Sequence, residues 1–229
     1  MAEVKVTHTK PENPTVVDRA QDFWTKNNKP LTIGLGVLIL LLGGWFGYKK
    51  LIKEPNETKA AEAMYWAHDH FTRDSLQKAI NGDGRNLGLA KVADKYGNTK
   101  AGNLAKYMAG ASYLRLEDYK NAEKYLEDAN LDSRITQARA YKLLADAYAA
   151  QAKNKDALNY YKKAGNHFED DDVNSPEYLS YAALLAHRVL NDKEEAIKIY
   201  KEIKKKFPNS SPAFEANKGL AELGVYSVE

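Results

Sequence analysis

The longest apolar run in the chain is Leu31 to Tyr48, Leu-Thr-Ile-Gly-Leu-Gly-Val-Leu-Ile-Leu-Leu-Leu-Gly-Gly-Trp-Phe-Gly-Tyr, and it contains no charged residue. As a helix rising about 1.5 Å per residue it covers roughly 27 Å, close to the roughly 30 Å hydrocarbon core of a bilayer. Pro30 stands where a helix begins. Trp45, Tyr48, Lys49 and Lys50 stand where an aromatic and basic interface belongs. A helix apolar on every side needs lipid or a large core around it, and the rest of this chain is too polar to supply the core. The pattern therefore predicts a transmembrane helix over residues 30–50. A cleaved signal peptide is disfavoured: residues 1–29 precede the run, which exceeds an h-region of about 7–15 residues, and no Ala-x-Ala site follows.

Before the span, residues 1–14 are polar, with Pro11 and Pro14, and read as disordered. Val16, Val17, Ala20, Phe23 and Trp24 recur at three- and four-residue spacing. They predict either a short amphipathic helix on the membrane surface or an extended tail carrying an aromatic pair. After the span the apolar period is helical almost throughout. Ala60, Ala61, Met64, Ala67, His68 and Phe71 share one face of a helix over about 57–73. Asn81-Gly-Asp-Gly84 marks a turn, and a second helix runs from about Asn86 to Tyr96.

From there the chain repeats itself. Gly110 aligns with Ala145, Tyr113 with Tyr148, Ala122 with Ala157, Leu126 with Tyr161 and Ala129 with Ala164, all at an offset of 35. A third copy carries Ala196, Tyr200, Ile203 and Pro208 at an offset of 39, displaced by the insertion Glu169–Asn174. A period of about 34 with small residues at these places is the signature of tetratricopeptide (TPR) repeats, in which paired helices stack because one hairpin cannot bury its apolar face alone. The fold class read here is all-α: a single N-terminal transmembrane helix followed by a TPR superhelix. The units fall at 103–136, 138–171 and 177–210, with 211–224 as a C-terminal capping helix. Residues 57–99 read as a degenerate first repeat interrupted by a loop, since Lys95-Tyr-Gly-Asn-Thr99 echoes Lys206-Phe-Pro-Asn-Ser210.

Charge and chemistry narrow the function. The net charge is +3, and residues 1–29 hold five basic and four acidic groups, so no concentrated basic face for nucleic acid is expected. Near the span Arg19, Lys26 and Lys29 face Lys49, Lys50, Lys53 and Lys59 across it, so charge bias leaves orientation open. The absence of cysteine suits an oxidising compartment. His68 and His70, two apart, point to different sides of a helix and make a poor metal pair. His167 with Glu169–Asp172 lacks the glycine and spacing of a calcium loop. Ser75-Leu-Gln-Lys78 has no partner motif. No catalytic, cofactor or metal site is predicted, and the chain is read as not an enzyme. A binding surface remains. In TPR units the first helix of each hairpin lines the concave face, which here offers Tyr107, Leu114 and Arg115, then Arg139, Lys142 and Asp146, then Tyr178, Tyr181 and Arg188. Tyrosine and arginine are common interface anchors. The lysine and asparagine of a carboxylate clamp are replaced by Tyr107 and Ala111, so that mode is not expected. Gly43 and Gly47 form a small-xxx-small pair, which points to helix contact, and a homodimer, within the membrane.

Phe23-Trp-Thr-Lys-Asn-Asn-Lys-Pro-Leu31 running into a glycine-rich span closed by Gly44-Trp45, then Asn81-Gly-Asp-Gly84 and Tyr96 to Tyr107, resembles the bacterial family of ancillary Sec-translocon subunits, in particular Bacteroidetes members. That family shares its repeat domain with a periplasmic cell-division coordinator. The resemblance implies a cytoplasmic N-terminus, a single-pass inner-membrane anchor and a periplasmic repeat domain. It also implies contact with the SecYEG translocon, with periplasmic chaperones or with exported client proteins. A scaffold for envelope assembly or cell division is the alternative.

Overall fold

The computed structural model describes residues 15–226, so the disorder expected over residues 1–14 lies outside the described residues. The chain divides into two compact units, Met1–Glu54 and Pro55–Glu229.

In the first unit a single helix, α1, runs from Val16 to Tyr48. Thr15 and Asp18 start it with a reciprocal capping box. The Thr15 hydroxyl accepts from the Asp18 amide at 3.3 Å, and the Asp18 carboxylate accepts from the Thr15 amide at 2.9 Å. The short amphipathic segment and the apolar segment are thus one helix, and Pro30 lies inside it rather than at its start. Proline removes one backbone donor from the ladder. On either side of Pro30 side chains also bond the helix's own carbonyls, Asn27 Nδ2 that of Phe23 at 2.9 Å and Thr32 Oγ1 that of Asn28 at 2.8 Å. No residue of α1 is buried. A π-helical segment, Lys49–Lys53, follows.

The second unit is all-α; among the described residues its only bridge is the isolated pair Gly82–Leu87. Helices α2 (Glu54–Thr72), α3 (Leu76–Asn81) and α4 (Leu89–Tyr96) come first. The α3 helix is not evident in the sequence period. The loop between α3 and α4 is shaped by Asp83, whose Oδ1 accepts from the amides of Arg85 at 2.9 Å and Asn86 at 2.7 Å. Gly82 there has φ +86° and its missing Cβ would lie 2.3 Å from the Asn86 carbonyl oxygen. Three hairpins follow: α5 (Lys100–Arg115) with α6 (Tyr119–Glu127), α7 (Arg134–Ala150) with α8 (Asn154–His167), and α9 (Asn174–Leu184), extended by a π-helical turn at Leu185–Val189, with α10 (Lys193–Lys206). The last helix, α11 (Ser211–Glu222), has no following partner among the described residues. Each hairpin turns through one left-handed residue: Glu117 at φ 61°, Ala152 at 58° and Asn191 at 52°. Asp74, at φ 60° between α2 and α3, makes the same kind of turn.

Small side chains set the helix spacing. Ala122, Ala157 and Ala196 are fully buried. At Gly110 a Cβ would meet Leu126 Cγ at 2.5 Å, inside the first hairpin; at Gly165 it would meet Leu179 Cγ at 2.5 Å, between the second and third. One core runs from α6 to α11 and a second joins α2 through α6.

The third hairpin departs from the expected register. An offset of 39 places Leu184 at the small, buried slot held by Gly110 and Ala145. The structure buries Ala183 there instead, and Leu184 is 45% exposed. Ala183 and Ala196 are 13 residues apart where Ala145 and Ala157 are 12. The π-helical turn at Leu185–Val189 takes up that extra residue.

Gly110→Ala is expected to destabilise the repeat unit by about 1–3 kcal/mol through overpacking against Leu126. The melting temperature followed by circular dichroism should then fall by about 2–12 °C. Gly165→Ala, at a second close approach, should cost a similar amount, and Gly84→Lys, in open space but at φ +87°, should cost about 1–3 kcal/mol from backbone strain alone.

Candidate protein-interaction surface

The first helices α5, α7 and α9 position most of the residues singled out above. On α7, Arg139, Lys142 and Asp146 recur at three- and four-residue spacing and share one side of the helix. Lys142 Nζ pairs with Asp146 Oδ2 at 2.9 Å and lies 5.2 Å from the Tyr181 ring centre on α9. The Tyr161 hydroxyl of α8 donates to Asp146 Oδ1 at 2.7 Å, and its ring lies 5.7 Å from that of Tyr181. The Tyr181 hydroxyl donates in turn to Glu177. Lys142, Asp146 and Tyr181 thus form one connected patch, to which Tyr161 and Glu177 belong although the repeat positions did not point to them.

Arg139 stands between two phenols. Hydrogen bonding to the Tyr178 hydroxyl and the polarity of Tyr107 hold the guanidinium firmly charged, while burial raises both phenols above their ordinary range. Tyr178 is 6% exposed and its ring packs with Ala138 and Ala164. The one-residue shift of α9 explains this: Tyr178 takes the inward place that Ala140 holds on α7. The same shift puts Glu177, Ser180 and Leu184 at the places held by Arg139, Lys142 and Asp146.

The remaining residues lie apart from this patch. Leu114 is half-buried against the main core. Arg115 Nη2 reaches Asp74 Oδ1 at 2.6 Å, tying α5 to the turn after α2. Arg188 pairs with Glu222, tying the π-helical turn to α11. Gly43 and Gly47 lie on the open surface of α1, where an added Cβ would meet nothing within 4 Å.

A second polar-aromatic cluster on α7 and α8 has no counterpart in the sequence reading. Lys163 Nζ lies 4.0 Å from the Tyr141 ring centre and 5.3 Å from that of Tyr160, and His167 meets Tyr141 edge-on at 5.3 Å. Burial, then Arg134 and Lys163, holds the His167 pKa below its ordinary value. His70 Nε2 is buried and 3.7 Å from Asp83 Oδ2, whereas His68 is exposed. No group of three or more His, Asp or Glu residues comes together in a metal-ready cluster among the described residues.

Two tyrosines give the fold an alkaline limit. Burial, with the Asp94 charge nearby, pushes Tyr125 up to about 12; the hydrogen bond to Glu177, then burial, pushes Tyr181 up to about 12. An unfolded phenol titrates near 10, so between about pH 10 and 12 the unfolded chain binds fewer protons than the folded one. Stability should be full below pH 10 and decline as pH rises through that window. Denaturant midpoints measured from pH 9 to 12 should show the decline, and Tyr181→Phe should make it shallower.

Residues 21–159, more than half of the chain, match the model of the tetratricopeptide repeat-like domain, and residues 177–210 match the tetratricopeptide repeat. No curated protein matches the chain. Paired helices closed by small residues, turned through left-handed corners and stacked on shared aromatic rings are what that family is built from, and the chain belongs to the tetratricopeptide repeat-like domain family.

Proposed function

We propose that this chain is a single-pass protein of the bacterial inner membrane, with its N-terminus in the cytoplasm and its repeat domain in the periplasm. Its work is to bind other proteins at the exit of the SecYEG translocon, either periplasmic chaperones or newly exported clients. The observation that carries this reading is the joining of two features in one chain: α1, long enough to span a bilayer with no residue buried, and a repeat domain of a kind that typically binds proteins without catalysis. The resemblance of Phe23–Leu31 and of Tyr96–Tyr107 to ancillary translocon subunits supplies the partner.

The binding surface is the side lined by α5, α7 and α9, over units 103–136, 138–171 and 177–210, with residues 57–99 as an interrupted first unit and 211–224 as the cap. Tyr107, Arg139, Lys142, Asp146 and Tyr181 are its central residues. Leu114, Arg115, Tyr178 and Arg188 hold it in shape. Gly43 and Gly47 would let two copies of α1 approach closely in the membrane.

Protease added to spheroplasts should degrade the repeat domain and leave α1 protected, and protease added to inverted vesicles should leave the domain intact. A photo-crosslinking amino acid placed at Tyr107 or Tyr181 should recover SecYEG subunits, chaperones or exported proteins; recovery of wall-synthesis or division proteins instead would favour the scaffold alternative. Arg139→Glu combined with Lys142→Glu should lower the yield of these adducts by about tenfold, the effect of losing roughly 1.4 kcal/mol of anchoring. An unchanged yield would reject this surface.

A further inference from the structure

Helix α1 carries a second pattern beneath its overall apolarity. Val17, Trp24, Leu31, Leu38 and Trp45 recur at seven-residue intervals, and Gln21, Asn28, Leu35 and Leu42 each follow four residues after one of them. Together they are the d and a positions of a heptad repeat, which share one side of the helix. The charged residues of α1, Asp18, Arg19, Asp22, Lys26 and Lys29, all miss those positions, and Pro30 falls outside them at c. Lipid asks only that a side chain be apolar. A period of seven that begins before the apolar run and lasts to its end asks for another helix.

The surface on that side has the matching relief. A hollow of about 450 Å³ lies over Trp24, Leu31, Gly34, Leu35 and Leu38. Leu31, Gly34, Leu35 and Leu38 stand at i, i+3, i+4 and i+7, the four corners of the hole that receives one side chain in knobs-into-holes packing. Gly34 deepens the hole, since even a Cβ there would meet nothing within 4 Å. In a parallel pair of identical helices the side chain that enters it is Leu35 of the other copy. Asn28, a polar group between Trp24 and Leu31, then meets its own counterpart, which fixes two strands in one register. The seven apolar side chains of the seam are 42–64% exposed, and the surface they offer is of the order of the roughly 800 Å² per partner that a stable interface buries.

We propose that α1 is one strand of a parallel, two-stranded coiled coil with a second copy of this chain, joined along the seam from Val17 to Trp45 and locked by Leu35 in the hole at Gly34. A shared topology keeps all copies parallel, so the seam meets itself in register. Gly43 and Gly47 fall at b and f, on the far side, so the leucine seam and the glycine pair predict different dimers. The inference rests on the membrane anchor proposed above and names the face through which that anchor pairs.

The chain has no cysteine, so single-cysteine variants of the full chain, reconstituted in liposomes and oxidised, each report one position. Disulfide-linked dimer should peak at Leu31→Cys, Leu35→Cys, Leu38→Cys and Leu42→Cys. Yields there should exceed those of Gly36→Cys, Leu40→Cys and Gly43→Cys by at least about fivefold, because only seam positions come close enough to bridge. Gly34→Ile, which fills the hole, should weaken association about tenfold, read by energy transfer between labelled copies, while helicity stays unchanged. A peak at Gly43→Cys and Gly47→Cys instead, crosslinking without a period, or association unmoved by Gly34→Ile would overturn the seam. Protease protection of α1 retained alongside such a result would leave the anchor standing and sink only the pairing.

Discussion

Close approach of helices at positions without a side chain is the constraint on which the repeat domain depends. Gly110 admits Leu126 and Gly165 admits Leu179; Ala122, Ala157 and Ala196 do the same work with one methyl group. Helices brought this near leave room for a ring at the junction of three of them, and Tyr161 and Tyr200 take that room. The consequence is long-range order from short-range contacts, because each hairpin presents an apolar edge that only the next can cover. The residues that line α5, α7 and α9 inherit their mutual distances from this spacing. A lysine on α7 can lie over a tyrosine on α9 because two alanines and a glycine elsewhere hold the helices at that separation.

Much of this was legible in the residue pattern. The offset of 35 is carried by residues whose size matters, so the all-α repeat fold could be read from it. The apolar run ending at Tyr48 identified a helix with no core of its own. Two things were not legible, for different reasons. Pro30 is a local signal for a helix start, but the helix begins at the capping box of Thr15 and Asp18 and runs through the proline. In the third unit the offset of 39 holds for the second helix only, and the first is displaced from it by one residue. Ala183, not Leu184, holds the small slot, and the only trace in the sequence is a spacing of 13 in place of 12 between alanines.

That one residue matters for the surface more than for the core. A helix that slips by one position turns about 100°, so Tyr178 leaves the solvent side for the interior and Leu184 takes the opposite path. Tyr181 stays near the boundary, where it rests on Tyr161 and bonds Glu177. The candidate surface is therefore composed differently in its last third than a strict repeat would give: acidic and apolar at Glu177 and Leu184, where α7 offers Arg139 and Asp146.

The π-helical turn is what makes this affordable. An extra residue in a helix either rotates everything after it or is absorbed by a local widening of the ladder. Here the widening is confined to Leu185–Val189, and beyond it Ala196, Ile199, Tyr200 and Ile203 are buried in the pattern of the hairpin before. The core of the third unit is kept, while the side of α9 facing solvent acquires a register of its own. Leu184 is exposed for this reason. A single inserted residue, taken up at Leu185–Val189, thus changes which side chains α9 presents while the core of its hairpin is kept.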